Sequence, residues 1–403
     1  MHQCALLQHR HRTPHHRFDK LVFLMHRRRF LQAAALLALS SPSRSLRAQA
    51  DTQIVTDIVG RTVTLRYPLR RIFLAEGNLF YTVAALNPRA PMEKLVGWRD
   101  NFRTADLDSY RLYLRYFPEL AKLPAFAGVQ QMQFDLERLI ALRPEAMLLN
   151  ANTRSVLETS GLMAKLTAAN IPVVFVDMSI GLMNNSARSI AIMGQLFDNP
   201  QSAHSLIRFR QRHLDTIRDT LMKRAPPRPR IMMERAAGLY EDCCLSWGNG
   251  NYGEMVDSAG GFNLAQTHIH GVYGALSQET VIASRPDKIV VTGSNWSHYS
   301  PHGDWINLGP GADLTLAKTR LEKLMRRPAY RTLAAAKNGQ AYAIWHPFYD
   351  HPFNFVAIER LASWFHPSLF AGVDPEATFA ELFARFLPIP YQPGYWVSLK
   401  AAP

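Results

Sequence analysis

The chain has 403 residues, of which 47% are hydrophobic and 19% are charged, so it can bury a sizeable core and does not have the composition of a disordered protein. Its formal net charge is +14, but nine of the 46 basic residues and only one of the 32 acidic residues fall in the first 50 positions. The rest of the chain is only mildly basic, which argues against a nucleic-acid partner, and it has no apolar run long enough for a membrane-spanning helix.

Residues 1–50 are predicted to hold an upstream extension and an export signal. An arginine triplet at 27–29 precedes a short apolar run, and a small-x-small cleavage pattern closes the segment. Paired arginines followed by Phe30 and Leu31 favour a twin-arginine signal over a plain secretory signal that happens to be rich in arginine. Met25 fits a start codon better than the first residue. The exported, soluble chain is expected to begin near Asp51.

Export implies an oxidising compartment, in which the cysteines could form disulfides. Cys4 lies in the removable segment, which leaves only the adjacent pair Cys243 and Cys244. Two neighbours can join only through a strained vicinal ring, and two small, partly buried thiols are the favoured interpretation. A disulfide scaffold is excluded because the chain has too few cysteines.

From Asp51 the pattern alternates between short apolar strands and helices, which predicts an N-terminal α/β lobe over residues 51–183. The strands are almost continuously apolar, which is typical of a parallel sheet covered on both faces. Strands are predicted at 54–65 (two runs around a turn), 71–75, 94–98, 146–150 and 172–177, and helices at 78–86, 134–142 and 155–169.

Residues 184–227 are predicted to be connecting helices and a linker. One helix covers 184–197, and a second begins at Pro200, with Asn199 as its cap, and ends near Lys223. At 1.5 Å per residue the second helix is about 35 Å long. Its polar face is predicted to be basic and to carry Arg208, Arg210, Arg212, Arg218 and Lys223.

The alternation restarts in residues 228–403, which are predicted to form a C-terminal α/β lobe. Its strands are predicted at 230–234, 288–292 and 340–345, and its helices at 253–259, 278–283, 314–324, 329–335 and 353–365. The two halves share a pattern of a glutamate, an apolar helix face, Arg-Pro-acid and a buried strand, which indicates an internal duplication. The predicted fold class is therefore α/β, with two parallel-sheet (Rossmann-like) lobes joined by one long helix.

Several motifs, in this order, carry a resemblance to a known family. They are Asp57–Val63, Arg70-Arg71-Ile72, Glu137 with Arg143-Pro144-Glu145, Gly260–Asn263, Glu279 with Arg285-Pro286-Asp287, and Lys337–Tyr342. Together they make residues 51–403 resemble the periplasmic binding proteins of ABC importers for ferric siderophores, haem and cobalamin. The tail after His366 looks like that of an iron-type subgroup whose ligands are poorly defined.

The resemblance implies a periplasmic, monomeric receptor that is not an enzyme and delivers its ligand to an inner-membrane ABC permease. In that family one glutamate on each lobe docks to arginines of the permease, and the corresponding residues here are Glu137 and Glu279. A carboxylate at each of two fixed positions can accept a bidentate arginine fork. The alternative is that each glutamate only favours the first turn of its helix. No covalently bound cofactor is expected, and ferric iron would be present only within the ligand.

A ligand of a two-lobed α/β protein is expected to lie between the lobes, at the carboxyl ends of the strands. Loops there are rich in arginine and aromatic residues, which suit a large, anionic, partly aromatic chelate. Arg99 and Arg235 are the best candidates for charge contacts, and Trp345–Tyr349 for an aromatic wall. The predicted ligand-binding residues are Glu76, Asn78, Trp98, Arg99, Arg235, Tyr240, Trp247, Tyr252, Trp296, Trp345, His346 and Tyr349.

This chemistry predicts a ferric siderophore, with haem, cobalamin or a divalent metal ion as alternatives and an exported enzyme or chaperone as a more distant one. Tyr240 or Tyr349 could bind ferric iron directly if the ligand were haem or a bare ion. No histidine occurs between His26 and His204, which disfavours a metal site bridging the cleft, and none is predicted.

One further motif is set aside. Gly248–Gly253 matches G-x-G-x-x-G, but the preceding 243–247 is a poor strand, so a lid over the ligand is favoured over a dinucleotide site. No recognisable catalytic motif is present in the sequence.

Overall fold

A computed structural model describes residues 51–128, 134–240 and 243–400. The export signal expected in residues 1–50 lies outside the described residues. Within the described ranges, no helix is both long enough and apolar enough to cross a bilayer.

The N-terminal lobe is built on a five-stranded parallel sheet with the order β5-β4-β3-β6-β7. A separate antiparallel hairpin, β1–β2, attaches to the edge strand through a hydrogen bond from the Ile58 amide to the Phe175 carbonyl. The strands are β1 Asp51–Thr56, β2 Thr62–Tyr67, β3 Ile72–Leu74, β4 Leu95–Arg99, β5 Ala125–Phe126, β6 Ala146–Asn150 and β7 Val173–Val176. Every residue of β3, β6 and β7 is buried, as expected for a sheet covered on both faces.

Helices cover the sheet of this lobe. They are α1 Phe80–Leu86, α2 Asn101–Ala105, α3 Leu107–Tyr116, α4 Leu136–Ala141, α5 Arg154–Thr159 and α6 Leu162–Ala168. The single helix predicted over 155–169 is two helices, because Gly161 adopts a left-handed φ of 70° between them. The helices α2 and α3 were not predicted.

Two consecutive helices connect the lobes, α7 Leu182–Leu196 and α8 Pro200–Arg224. Asn199 occupies the cap position of α8, but its side chain donates to the Phe197 carbonyl instead of accepting from the helix. Arg210 is fully buried, so the prediction that it lies on the polar face of α8 is wrong. Its guanidinium donates to the Leu182 carbonyl at 2.6 Å, which ties α8 to the start of α7, and burial lowers its pKa to about 10.

The C-terminal lobe has a central parallel layer, β8-β12-β13, with antiparallel strands added at both edges. The strands are β8 Arg230–Glu234, β9 Leu245–Trp247, β10 Phe262–Asn263, β11 Tyr273–Ala275, β12 Lys288–Gly293, β13 Ala341–Trp345 and β14 Trp396–Ser398. Calling 243–247 a poor strand was wrong, because 245–247 is β9, which pairs antiparallel with both β8 and β11.

The helices of this lobe are α9 Tyr252–Ser258, α10 Gln278–Ser284, α11 Leu314–Met325, α12 Ala334–Lys337, α13 Asn354–Phe365 and α14 Pro375–Phe386. The helix predicted over 329–335 is wrong for 329–333, where turns follow Pro328 and the Tyr330 hydroxyl is bonded to the Glu234 carboxylate. The helix α14 was not predicted. The fold class itself, two α/β lobes joined by a long helix, is confirmed.

The two lobes repeat one local structure. The Glu145 carboxylate accepts from the backbone amides of Arg70 and Arg71 before β3, and the Asp287 carboxylate accepts from the amide of Arg230 at the start of β8. Arg143 and Arg285, two residues before these acids, have left-handed φ values of 46° and 45°. The same Arg-Pro-acid turn thus anchors the first core strand of each lobe.

Cys243 and Cys244, which precede β9, are joined by a disulfide. The interpretation of this pair as two free thiols is therefore wrong.

Candidate ligand-binding cleft

A cleft of about 640 Å³ lies between the lobes, where the core strands of both sheets end. Residues after β3, β4 and β6 form one wall, and residues after β8, β12 and β13 form the other. Polar and charged side chains are numerous among them. The lining residues are Glu76, Asn78, Arg99, Asn101, Ala105, Asp106, Asn150, Asn152, Arg235, Ala236, Leu239, Tyr240, Trp296, Tyr299, Ser300, His346, Pro347, Tyr349 and Asp350.

On the N-terminal wall, Arg99 at the end of β4 is bonded to Glu76, which follows β3. Its guanidinium donates to the Glu76 carboxylate at 2.7 Å, and the Asn101 amide donates to the other oxygen of the same carboxylate. Gly77 makes this approach possible, because a Cβ there would lie 2.4 Å from the Arg99 carbonyl oxygen. The arginine of this wall therefore already has a carboxylate partner.

Burial shifts the acids around the cleft toward their protonated forms. It raises the pKa of Glu76, although the attraction of Arg99 acts in the opposite direction. It raises the pKa of Asp350 to about 8, with the nearby Glu76 contributing, and the pKa of Asp106 also to about 8. Asp350 and Asp106 are consequently largely uncharged at neutral pH, which reduces the negative charge facing a ligand.

On the C-terminal wall, Arg235 follows β8 directly and forms no ion pair with any described residue. Its guanidinium lies 4.7 Å from the centre of the Tyr273 ring and 5.3 Å from that of Trp247, and its Nε atom is buried without a hydrogen-bond partner. Such stacking holds the charge in place without neutralising it. This wall therefore offers a fixed cation to the cleft.

A buried ion pair fixes the strand that carries Arg235. The carboxylate of Glu234, the last residue of β8, accepts from Arg327 at 2.5 Å and from the Tyr330 hydroxyl at 2.6 Å. The backbone amide of Ala236, the residue after Arg235, donates to the Thr292 hydroxyl near the end of β12. The residues on both sides of Arg235 are thus bonded to neighbouring elements, Glu234 through its carboxylate and Ala236 through its backbone amide.

An aromatic group continues the C-terminal wall from Arg235 to the end of β13. Tyr349 stacks on Trp247 with ring centres 5.5 Å apart, and Trp296 meets His346 edge to face at 5.3 Å. The His346 ring is bonded to the Thr292 hydroxyl at 2.8 Å, and burial, with the charge of Arg235, keeps its pKa well below the usual range. This part of the wall is flat and uncharged.

Hydrogen bonds between the lobes bound the cleft at its floor and at one rim. At the floor, Asn150, the last residue of β6, donates to Asp350 at 2.9 Å. At the rim, Asn295 donates to Asp108 at 2.8 Å, and the hydroxyl of Tyr299 donates to that of Thr104 at 3.2 Å. The Ser294 hydroxyl also donates to the Ala105 carbonyl, so several hydrogen bonds join the lobes at this rim.

Eight of the twelve predicted ligand-binding residues line the cleft. Four of them have charged or amide side chains and four have aromatic rings. The eight residues are Glu76, Asn78, Arg99, Arg235, Tyr240, Trp296, His346 and Tyr349. Whether each contacts a ligand stays a prediction.

The other four do not line the cleft, and the physical reason is packing. Trp98 lies in an aromatic core with Phe80 and Phe102, and Trp345 faces inward against Tyr81. Tyr252 is fully buried and donates to the Trp345 carbonyl. Trp247 lies one layer behind the surface and supports Tyr349 and Arg235 from below.

Sequence reasoning missed two acids of the cleft, Asp106 and Asp350, and two amides, Asn150 and Asn152. Asn150 is the last residue of a buried parallel strand, so its position in the sequence could have indicated it. Asp350 follows the aromatic stretch that was singled out. Asp106 lies between α2 and α3, and nothing in the sequence around it points to the cleft.

The two predicted docking glutamates lie on the surface. Glu137 and Glu279 are exposed in the first turns of α4 and α10, each after a capping residue, Asp135 or Ser277. Neither forms an ion pair with a described residue. The positions suit docking and suit the helix dipole equally, so docking stays a prediction.

A larger groove, of about 960 Å³, lies beside the β1–β2 hairpin. Its Arg61 is already bonded to Asp57 through two nitrogens and to the Val173 carbonyl, so its charge is satisfied internally. Among the described residues there is also no group of three or more His, Cys, Asp or Glu side chains that could hold a metal ion. The interlobe cleft is therefore the better candidate site.

Comparisons with known proteins agree with this geometry. A sequence profile described as periplasmic binding protein matches residues 120–346. A comparison with curated proteins gave no match.

Solved structures resemble the chain over most of its length. The TroA-like periplasmic binding protein FepB from Veillonella parvula has 26% identity and a TM-score of 0.78, covering 86% of this chain and 99% of its own. Helicobacter pylori CeuE, in a complex with nickel and histidine, has 15% identity and a TM-score of 0.61, covering 84% and 96%. A periplasmic haem-binding protein from Pseudomonas aeruginosa has 20% identity and a TM-score of 0.52, covering 74% and 93%.

Proposed function

This chain belongs to the periplasmic binding protein family, in the class that serves ABC importers of siderophores, haem and cobalamin, and we propose that its own ligand is a ferric siderophore. Members of the family are substrate-binding components of transporters, not enzymes. The ligand would lie in the interlobe cleft and be delivered to an inner-membrane permease. In the proposal the receptor is a monomer and iron enters only as part of the ligand.

The observation that carries the proposal is the unpaired Arg235 beside an aromatic wall. An anionic chelate would bring its charge to this guanidinium, which no described carboxylate neutralises. Tyr349, His346 and Trp296 offer rigid rings for the organic part of the ligand. The volume of about 640 Å³ falls in the range of sites that hold drug-sized ligands.

Haem is the second candidate. The Tyr240 side chain lines the cleft and is 53% exposed, so its hydroxyl could reach a haem iron. Burial raises the pKa of Tyr349, which disfavours the phenolate that iron binding needs. The Pseudomonas aeruginosa neighbour is a haem-binding protein, while the complex of the Helicobacter pylori neighbour contains nickel and histidine.

Two further parts of the proposal concern export and delivery. The proposed twin-arginine signal within residues 25–50 would carry the chain to the periplasm. Glu137 and Glu279 would then each accept an arginine of the permease, one for each lobe. Removing both carboxylates with Gln should lower uptake while leaving ligand binding unchanged.

Ligand titration of the purified protein tests the proposal. A ferric catecholate, a ferric hydroxamate and haemin are added in turn, with tryptophan fluorescence and visible absorbance recorded. Trp296 lines the cleft, whereas Trp364 packs on Tyr342 away from it. We expect a ferric chelate to quench the fluorescence, Trp296→Phe to remove most of that quenching, and the matched control Trp364→Phe to retain it. A change in the Soret band of haemin on adding the protein, with no response to either chelate, would make haem the ligand instead of a siderophore. No response to any of the three probes would overturn both candidate ligands.

A further inference from the structure

Two short helices, one in each lobe, present the same side chains in the same way. From 136–145, which includes α4, and from 278–287, which includes α10, buried and exposed positions coincide residue by residue except at Arg138/Thr280 and Glu145/Asp287. Each helix begins after a side-chain cap and ends before the Arg-Pro-acid turn. The duplication therefore extends from backbone to surface.

Each helix exposes an isoleucine three residues after its glutamate. Ile140 is 43% exposed and Ile282 is 39% exposed, whereas the residues just before them, Leu139 and Val281, are buried. Residues three apart lie on one face of a helix, so Glu137 and Ile140 are neighbours, and so are Glu279 and Ile282. Each lobe thus presents a carboxylate beside an apolar side chain, and we call these the two Glu–Ile patches.

The patches lie toward the cleft side of the molecule. α4 links the parallel strands β5 and β6, and α10 links β11 and β12, which run in the same direction. A helix in such a crossover runs antiparallel to its strands, so its first turn lies at the level of their carboxyl ends. Those ends form the cleft, so both patches flank the region where a ligand would be held.

The carboxylates of the patches are available to a partner. Neither Glu137 nor Glu279 pairs with a cation among the described residues. Hydrogen bonds from its own backbone amide and from Ser277 lower the pKa of Glu279, so this carboxylate is ionised at neutral pH. A carboxylate next to a partly exposed isoleucine would be complementary to a partner surface that has a cation next to an apolar pocket.

We propose that Ile140 and Ile282 are docking residues for the permease, each inserting into an apolar pocket beside the cation that its glutamate contacts. The inference rests on the proposed function and extends it to residues outside the carboxylates. Two equivalent patches on one chain match a partner that itself has two equivalent halves. A symmetric dimer of this chain would instead need a single self-complementary surface.

The test separates docking from ligand binding. The double variant Ile140→Ser/Ile282→Ser is compared with Ile54→Ser, a matched control because Ile54 is 70% exposed on β1 and belongs to neither patch. Uptake of a ⁵⁵Fe-labelled ferric catecholate is measured in cells that carry only the variant receptor, and chelate affinity is measured on the purified proteins. We expect uptake to fall about tenfold in the double variant, less in each single variant and not at all in the control, with affinity unchanged.

Each other outcome is informative. Wild-type uptake in the double variant, with chelate binding intact, overturns the patch inference but not the proposed function. A wild-type protein that binds no ferric chelate overturns the proposed function and this inference with it. A dimer seen by sedimentation that dissociates in the double variant assigns the patches to self-association instead.

Discussion

The two walls of the cleft are built from the same structural unit, yet they bring different chemistry to it. The N-terminal wall has an arginine, Arg99, that Glu76 and its neighbours hold in place. The C-terminal wall has an arginine, Arg235, that rests on aromatic rings and has no carboxylate partner among the described residues. The two arginines belong to different strands, since Arg99 is the last residue of β4 and Arg235 follows β8, and they differ in electrostatic role. Selectivity for an anionic ligand is therefore expected to come mainly from the C-terminal wall.

The largest expected effect is at Arg235. Arg235→Gln should weaken binding of a ferric catecholate by roughly 30- to 100-fold, since a buried charge contact to the ligand is lost, and Arg235→Lys should restore part of it. The matched double change on the other wall, Glu76→Gln/Arg99→Gln, removes an ion pair without changing the net charge. It should weaken chelate binding by less than about fivefold. Fluorescence titration measures both, and equal losses on the two walls would contradict the comparison.

An intermediate effect is expected from pH, through Asp350. Its pKa of about 8 means that it is mostly protonated at pH 7 and mostly charged at pH 9. A new negative charge at the floor opposes an anionic ligand, so affinity should fall about three- to tenfold over that range. In Asp350→Asn the side chain at this position cannot ionise, so affinity should fall less between pH 7 and 9, and the remaining fall would come from Asp106, whose pKa is also raised to about 8. A drop of the same size in this variant would assign the pH dependence to another group.

The smallest effect is expected at the rim that joins the walls. The Asn295–Asp108 hydrogen bond is partly exposed, so Asn295→Ala should weaken chelate binding only about two- to threefold. Combining it with Asp108→Ala should add little, because either change alone removes the bond. Additive losses measured by titration would show that these residues act separately from each other.

Local sequence patterns predicted most of the fold. The strands 146–150 and 230–234 have the bounds that their apolar runs indicated, and the long helix begins at Pro200 as its Asn-Pro break predicted. The errors have a common cause, which is that partners distant in sequence decide the outcome. β9 exists because β8 and β11 pair with it, and Arg210 is buried because carbonyls at the start of α7 accept its hydrogen bonds.

For the candidate site, too, part of the structure could be predicted from local sequence and part depended on residues distant in the chain. A residue after a core strand could be placed near the cleft from the sequence, and Glu76, Arg99 and Arg235 lie there. Which aromatic residue faces the ligand and which supports it from behind could not be read from the sequence. Trp296 and Trp247 both have polar residues around them in the sequence, yet Trp247 is the last residue of β9 and only Trp296 lines the cleft.

By itself, the sequence determined the two α/β units, the helix between them and the residue types that could meet a chelate, since hydrophobic periodicity and turn residues act over short distances. Only the tertiary structure decided which arginine keeps a free charge, which acids retain their protons and which tryptophans are buried. These properties depend on burial and on neighbours that the fold brings together from far apart in the chain.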